Sequence, residues 1–507
     1  MSVYAFSFYD IIGRNARSFP NAPAWLEADT GMRLSFGEFK TRVDQLAVGL
    51  STAGIGQGDR IGVVGQNSCE FFLLYGAAAA LGAILVPINW RLSADEVAFN
   101  LQDTAPAILF VDQVYQDLVE EIRDRLTSVT RYYNLRGDAG GFSAFQTLMD
   151  QDGAFSPAPV SGEAGFVIIH TAAVAGRPRG ALLSHANLLC ASMQFQYFFN
   201  LGPTDVHLNL LPLFHVGGLF TAVSAFHAGA LNVNMSKFDA DRAFDLITAH
   251  QVSFFFDFTP ILGSILDVHK KRGGDIGSLR NVVGLDTKET IEAYQAATGG
   301  RFWAMFGQTE TSCLATMAPY DDCPGSAGRV VPMAQVTLLD DRDRPVAPGE
   351  TGEIAVRGPM VFKGYWNLPE DNAQTFRNGW HHTGDMGRFN DTGFLFYAGR
   401  KPEKELIKPG GENVYPAEVE AAIREHPAVA ETVVIGVPDP KWKEGIKAVC
   451  VLHPDQDLDA ETLIRFVGER IARYKKPQYV EFVAELPKTA DGVIDRGAIK
   501  SRYGGEQ

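Results

Sequence analysis

The run GFVIIHTAAVAGRPRGALLSHANL, residues 165–188, constrains the fold more than any other stretch of the chain. Phe166, Val167, Ile168 and Ile169 are too apolar for a surface strand, so they belong in a strand covered on both faces, as in a parallel sheet. Gly176, Arg177, Pro178, Arg179 and Gly180 are expected to end that strand, and a helix to open near Ser184. Buried strand, glycine-bearing turn and helix together make the place where open α/β sheets bind phosphates, because backbone N–H groups there point at the anion. Two guanidiniums would add charge-assisted hydrogen bonds. Ala172, Ala173, Val174 and Ala175 offer only backbone donors, and the run matches no Walker pattern. On these residues alone, an ordinary strand-to-helix turn with exposed arginines is the competing reading.

The preceding sequence supports the sheet. Val43, Leu46, Ala47 and Leu50 recur at helical spacing, Gly54 and Gly58 close that helix, and IGVVGQN begins a strand at Ile61. Ser93 and Glu96 form a capping box ahead of another helix, and AILFVD from Ala107 supplies the next strand. Residues 71–90 carry no charge and are long enough to span a bilayer, but Gly76, Gly82 and Pro87 suit a buried helix packed closely on a sheet, then a short strand over 83–87. Repeated α/β alternation predicts a parallel sheet with helices on both faces.

The formal net charge of −15 argues against non-specific nucleic-acid or anionic-membrane binding, so an anionic ligand would need a local cluster of Arg and Lys. Five cysteines without a CxxC pair indicate neither a disulfide framework nor a zinc site and fit a reducing cytoplasm. Asp10 and Arg14 come too early for a signal-peptide apolar core.

In the second half, LNLLPLFHVGGLF has the character of a pocket wall, with Phe214, His215 and Gly217 as candidate lining; a lone histidine beside aromatics is otherwise a satisfied core residue. The sequence VSFFFDFTPIL reads as a buried strand. RFWAMFGQTETS places Gln308, Thr309 and Glu310 just past an apolar strand and Gly307, where carboxylate and hydroxyl can hold a metal-bound phosphate. Glycine-dense segments downstream suggest a smaller β subdomain. Residues 401–408 form a charged connector, after which a helix from Pro416 and three strands make a small α+β domain.

Several motifs then follow in order: FGQTE at 306–310, GEIAVRGPMVFKGYW at 352–366, HTGD at 382–385 and GGENVYPAEVE at 410–420. By these, over nearly its whole length, the chain resembles the adenylate-forming superfamily of acyl-CoA synthetases, aryl-CoA ligases and luciferases. The resemblance implies a large N-terminal α/β domain with a β subdomain (1–400) and a small mobile α+β C-terminal domain (401–507) that turns between two half-reactions. A carboxylate attacks the α-phosphorus of ATP to give acyl-AMP and pyrophosphate, and a thiol, usually that of CoA, then takes the acyl group. Carried over by position, Phe306 and Gly307 lie at the adenine, Thr309 at the α-phosphate, Glu310 on Mg²⁺, and Asp385 and Arg400 on the ribose. Thr171, Gly176 and Arg179 belong to the phosphate loop, with Arg179 in the place of its lysine. Lys404 falls at the hinge, although GRKPEKELIK carries a short insertion there. Gly410, Gly411 and Glu412 lie on the loop toward the thiol tunnel, and Lys475 with Lys476 meets CoA phosphates, a solvated charged face being the alternative for the two lysines. The implied partners are ATP, Mg²⁺, CoA and a carboxylic acid, fatty or aromatic, with no nucleic acid, no membrane span, and a homodimer left open.

Two departures bear on activity. Where the family loop reads Thr-Ser-Gly-Thr-Thr-Gly-x-Pro-Lys-Gly, residues 171–180 have lost three hydroxyls and a glycine, and Arg179 has a fork geometry unlike that of lysine. Near the C-terminus LPKTADGVIDR puts Val493 where the family carries the lysine that bridges substrate carboxylate and phosphate. Three functions are therefore in play: a carboxylate–CoA ligase, with Lys488, Arg177 or Arg179 compensating; a catalytically impaired protein that binds AMP or acyl-CoA; and an enzyme that only transfers preformed acyl-AMP to a thiol.

Overall fold

The computed structural model describes residues 3, 5–151, 153–157, 159–174, 177–401, 406–409, 412–440, 442–488 and 494–505. These residues form two compact units, one made of 1–90, 100–170 and 180–399, the other of 91–99, 171–179 and 400–507. The first unit holds most of two large sheets. In one, the strands Arg301–Phe306, Asn281–Leu285, Phe254–Phe258, Val206–Asn209, Leu231–Asn234 and Pro23–Glu27 run parallel in that order, with antiparallel strands at both edges. In the other, Gly165–Val174, Ile84–Ile88, Arg60–Val64, Ile108–Val111 and Arg131–Asn134 are parallel neighbours. A five-stranded antiparallel sheet, including Gly352–Arg357, Trp380–Phe389 and Leu395–Arg400, forms the β subdomain.

The charge-free stretch forms the expected buried helix and short strand, but Gly76 faces neighbouring helices rather than a sheet. Ser68 caps the helix Cys69–Leu81 by accepting from Phe71 N, and Gly82 ends it at φ 69°. An added Cβ on Gly76 would lie 2.7 Å from Val43 Cγ2, so only glycine lets the helix Phe36–Thr52 approach this closely. Phe72 stacks on Trp25 at 4.7 Å in the shared core, where each fully buried ring contributes roughly 2–3 kcal/mol. Among the described residues no helix is long and apolar enough to cross a membrane.

A buried carboxyl group adjoins this core. Glu27 Oε1 accepts from Asn234 Nδ2 at 2.8 Å, and Oε2 accepts from Cys69 N at 2.9 Å and Trp25 Nε1 at 3.3 Å. These bonds favour the carboxylate, but burial outweighs them and pushes the Glu27 carboxyl from 4.5 up to about 7. The folded state therefore binds this proton more tightly than the unfolded chain, so the contribution is fully present below pH 4.5 and is lost as pH rises through 7, in total about 3 kcal/mol. Glu27→Gln is expected to melt close to wild type at pH 4.5 and above it at pH 8. Equal pH dependence of the two melting curves would contradict the assignment.

The run 165–188 departs from expectation in one respect. The helix opens where predicted, at His185–Phe199, with Ser184 and Asn187 forming a capping box. Residues Arg177–Ser184, however, form a second strand between Gly165–Val174 and the short strand Gly364–Tyr365. The expectation that residues 176–180 would hold no strand is therefore corrected for 177–180: a strand next to the sheet edge accommodates Pro178, whose missing N–H costs least there.

The second unit contains the antiparallel pair Val429–Asp439 and Lys443–Leu452, with Tyr479–Phe482 added in parallel. The helix Pro416–Arg424 opens on its proline and buries Val419, Ala422 and Ile423 against a small core with Val434, Ile446 and Leu463. The α+β expectation is met: the chain is an α/β protein with a large N-terminal domain and a small C-terminal domain.

Candidate active site

The strand Arg301–Phe306 delivers Phe306 to the C-terminal edge of the parallel sheet, the edge at which open α/β sheets bind ligands. Gly307 follows because a side chain cannot: an added Cβ would sit 1.9 Å from the Cys313 carbonyl oxygen. The short 3₁₀ turn Thr309–Thr311 then presents Thr309, half-buried, and Glu310, 7% exposed. Its start is fixed by Gln308 N donating to Thr311 Oγ1 at 2.9 Å.

The β subdomain completes the constellation. Phe306 packs with Ala315, Ile354, Val356 and Leu395, and its ring centroid lies 6.5 Å from that of Tyr397, which is half exposed. Asp385 is 1% exposed, yet both its oxygens are engaged: Tyr397 OH donates to Oδ1 at 3.2 Å and Gln308 Nε2 to Oδ2. Gln308 also donates to Thr383 O at 3.1 Å, and its Oε1 lies 3.3 Å from His381 Nε2, whose Nδ1 is 3.1 Å from Thr375 Oγ1. That chain fixes the Gln308 amide with its NH₂ toward Asp385. A carboxylate in such a donor shell is oriented for a paired-hydroxyl ligand beside an aromatic face.

Glu310 Oε1 accepts from Tyr365 OH at 2.7 Å. Among the described residues no three His, Cys, Asp or Glu side chains gather to hold a metal ion by themselves. Mg²⁺ is held elsewhere by one or two carboxylates plus substrate phosphate oxygens, so a single oriented Glu310 fits an ion that arrives with a nucleotide.

The residues expected to line an acyl pocket lie in an aromatic cluster. Trp90 stacks on Tyr115 at 5.6 Å and meets Phe214 edge-on at 6.4 Å, and Phe214 lies 4.7 Å from the His215 ring. The two glycines of HVGG differ. An added Cβ on Gly218 would lie 2.3 Å from Pro212 O, whereas on Gly217 it would meet Leu211 and Phe258 at ordinary contact distance. Gly218 serves the helix start and Gly217 leaves space. Trp303 packs against Phe198 and Phe199.

The other residues singled out by sequence fall in the second unit or outside the described residues. Thr171 Oγ1 donates to Arg179 O at 3.3 Å, and both residues are half-buried. Arg400, also half-buried, closes the strand Leu395–Arg400. Glu412 pairs with Arg91 at 3.2 Å. Lys475 is 3% exposed, with its ammonium on Glu96 and 2.6 Å from Glu418; burial alone would lower its pKa, but the two carboxylates raise it. In this arrangement it presents no cation to solvent, and the solvated face expected as the alternative is absent there too. Gly176, Lys404, Gly410, Gly411, Val493 and the side chain of Arg177 lie outside the described residues.

Sequence reasoning did not find Tyr397, His381 or Tyr365. The first sits in FYAGR, twelve residues beyond Asp385, and only the pairing of adjacent antiparallel strands brings the two together.

Comparison with known proteins gives the family. The AMP-binding enzyme family matches residues 12–366, and the AMP-binding enzyme C-terminal domain matches 418–492. The chain is 34% identical to an indoleacetate–CoA ligase of Aromatoleum aromaticum, over 92% of each chain. It is 32% identical to a feruloyl-CoA synthase of Amycolatopsis sp, over 97% of this chain and 98% of that one. A solved structure of a putative long-chain-fatty-acid CoA ligase from Rhodopseudomonas palustris is 46% identical, with TM-score 0.75, over 79% of this chain and all of that one. With the Phe306–Gln308–Asp385–Tyr397 constellation at the sheet edge and both family regions matched in order, the chain belongs to the AMP-binding enzyme family.

Proposed function

We propose that this protein is an ATP-dependent carboxylic acid–CoA ligase acting through an acyl-adenylate, with an aromatic acid as its preferred substrate. The single observation that carries the reading is the oriented Asp385 carboxylate beside Phe306 and Tyr397, a site matched to adenosine. Phe306 and Tyr397 frame the base, Asp385 takes the ribose hydroxyls, and Thr309 donates to the α-phosphate. Glu310 would hold Mg²⁺, which supplies charge neutralisation on the phosphates of bound ATP. The wall of Trp90, Tyr115, Phe214 and His215 suits a flat acyl group, and the names of the indoleacetate and feruloyl relatives point the same way. Residues 401–507 act as the mobile domain serving both half-reactions. A reducing, cytoplasmic setting fits five cysteines that are all unpaired.

The test is a panel of aromatic and fatty acids with MgATP and CoA. Acid-dependent release of AMP and pyrophosphate, fastest with an aryl acid, is expected; silence across the panel would contradict the reading. Val493 favours one alternative, transfer from preformed acyl-AMP alone, and the signature of that alternative is turnover of supplied acyl-AMP with CoA but none of ATP.

A further inference from the structure

The strand that carries Asp385 is irregular at that point. In the pairing of Gly352–Arg357 with Trp380–Phe389, Glu353 faces Met386 and Ala355 faces His382. Thr383, Gly384 and Asp385 therefore stand opposite Ile354 alone, and Gly384 adopts φ 73°. Such a bulge leaves backbone donors without ladder partners and re-aims the side chains that it carries.

Two side chains take those donors. Thr383 Oγ1 accepts from Asp385 N at 3.1 Å, and its own hydroxyl donates to Ile354 O at 2.6 Å. Glu353 Oε1 accepts from Gly384 N at 2.9 Å. The other oxygen of Glu353 lies 3.1 Å from His382 Nδ1, which is itself 3.0 Å from Arg377 Nη2. Arg377 in turn grips Asp343 with two hydrogen bonds, at 2.9 and 3.0 Å, and so holds the Asp343 carboxyl below its usual range. Glu353 and His382 are almost fully buried. Desolvating a carboxylate at this depth is costly, so it persists only where its partners fix it, and its partners here are the bulge N–H and a histidine inside the HTGD motif.

We infer that Glu353 is a positioning residue for nucleotide binding: by closing the bulge at Gly384 it sets the backbone from which Asp385 meets the ribose hydroxyls. His382, Arg377 and Asp343 hold the Glu353 carboxylate in place. The two sets of contacts divide the labour: the His381 and Asp385 side chains and the Thr383 carbonyl meet Gln308, while the His382 side chain and the Gly384 N–H meet Glu353.

The inference rests on the assignment of Asp385 to the ribose, and the test separates the two. Calorimetry on the full chain compares AMP with 2′-deoxy-AMP for wild type, Asp385→Ala, Glu353→Ala, Glu353→Asp and Glu353→Gln. Wild type is expected to prefer AMP on the order of tenfold, the share of a hydrogen bond to a charged group. Asp385→Ala removes that preference. Glu353→Ala and Glu353→Asp, the second keeping the charge but not the reach to Gly384 N, reduce it to within about twofold. Glu353→Gln keeps an acceptor for Gly384 N and retains most of it. Glu353→Ala and Glu353→Asp variants that melt earlier but retain the full preference would overturn the inference, showing a structural role only. If wild type shows no preference, the assignment of Asp385 fails, and the inference with it.

Discussion

Replacing Val493 with lysine is expected to raise the rate of acid-dependent pyrophosphate release by about two to three orders of magnitude. The resemblance puts a lysine there to bridge the carboxylate and phosphate of the reacting pair, and removing one fixed donor from developing charge has an effect of that size in other enzymes. Among the described residues flanking it in sequence, Lys488 Nζ lies 2.7 Å from Glu431 Oε1, and Arg496 pairs with Glu420 while donating to Val434 O. A donor held by its own carboxylate is a poor stand-in for one aimed at a substrate. The gain should be confined to the first half-reaction, so transfer from supplied acyl-AMP to CoA should change by less than about threefold, within about 0.7 kcal/mol. An unchanged pyrophosphate rate in Val493→Lys would mean that another group already supplies the charge.

The second large effect is expected at Gly307. A Cβ there would meet Cys313 O at 1.9 Å, Cys313 C at 2.3 Å and Leu314 N at 2.8 Å, all backbone atoms that no rotamer change can move aside. The facing turn is fixed by Cys313 N donating to Gln308 O and Ala315 N to Phe306 O, both at 2.9 Å, and by Ser312 Oγ donating to Met360 O at 2.8 Å. Ser312 and Cys313 already hold positive φ, at 50° and 78°, so the turn has little room to relax. Gly307→Ala should cost about 3 kcal/mol of stability and, by displacing Phe306 and Gln308 together, weaken AMP binding roughly a hundredfold. Gly202→Ala, where an added Cβ meets nothing within 4 Å, is the control and should stay within about 0.5 kcal/mol. Wild-type melting and AMP affinity in Gly307→Ala would contradict the packing argument.

The parts of the fold that follow from local pattern were legible in the sequence. Apolar runs marked the buried strands, Ser184 marked a helix start, and Gly76 signalled a closely packed buried helix, although its neighbours are helices rather than the expected sheet. The motif order singles out Phe306 and Asp385, which the structure brings to one end of the parallel sheet with Gln308 and Tyr397. What could not be read depends on pairing between distant segments. Pro178 looked like a strand breaker, and the strand it belongs to is paired through Ala181 and Leu182 with Gly364–Tyr365, which lies far along the chain. Glu353 looked like an ordinary polar residue in a β strand; that its carboxylate closes a bulge around Gly384 depends on the register with Trp380–Phe389, which local periodicity does not encode. Lys475 had the composition of a surface cation, and only the structure shows Glu96 and Glu418 enclosing it.

The claim that joins these residues is that the acid and ATP meet to form an acyl-adenylate. Oxygen-18 in the substrate carboxylate tests it most directly, because attack at the α-phosphorus followed by thioester formation leaves one carboxylate oxygen on the departing nucleotide. With MgATP, CoA and a labelled aryl acid, the account predicts one labelled oxygen in AMP and none in the inorganic phosphate products. Label in inorganic phosphate, accompanied by ADP, would show activation through an acyl phosphate and contradict the account.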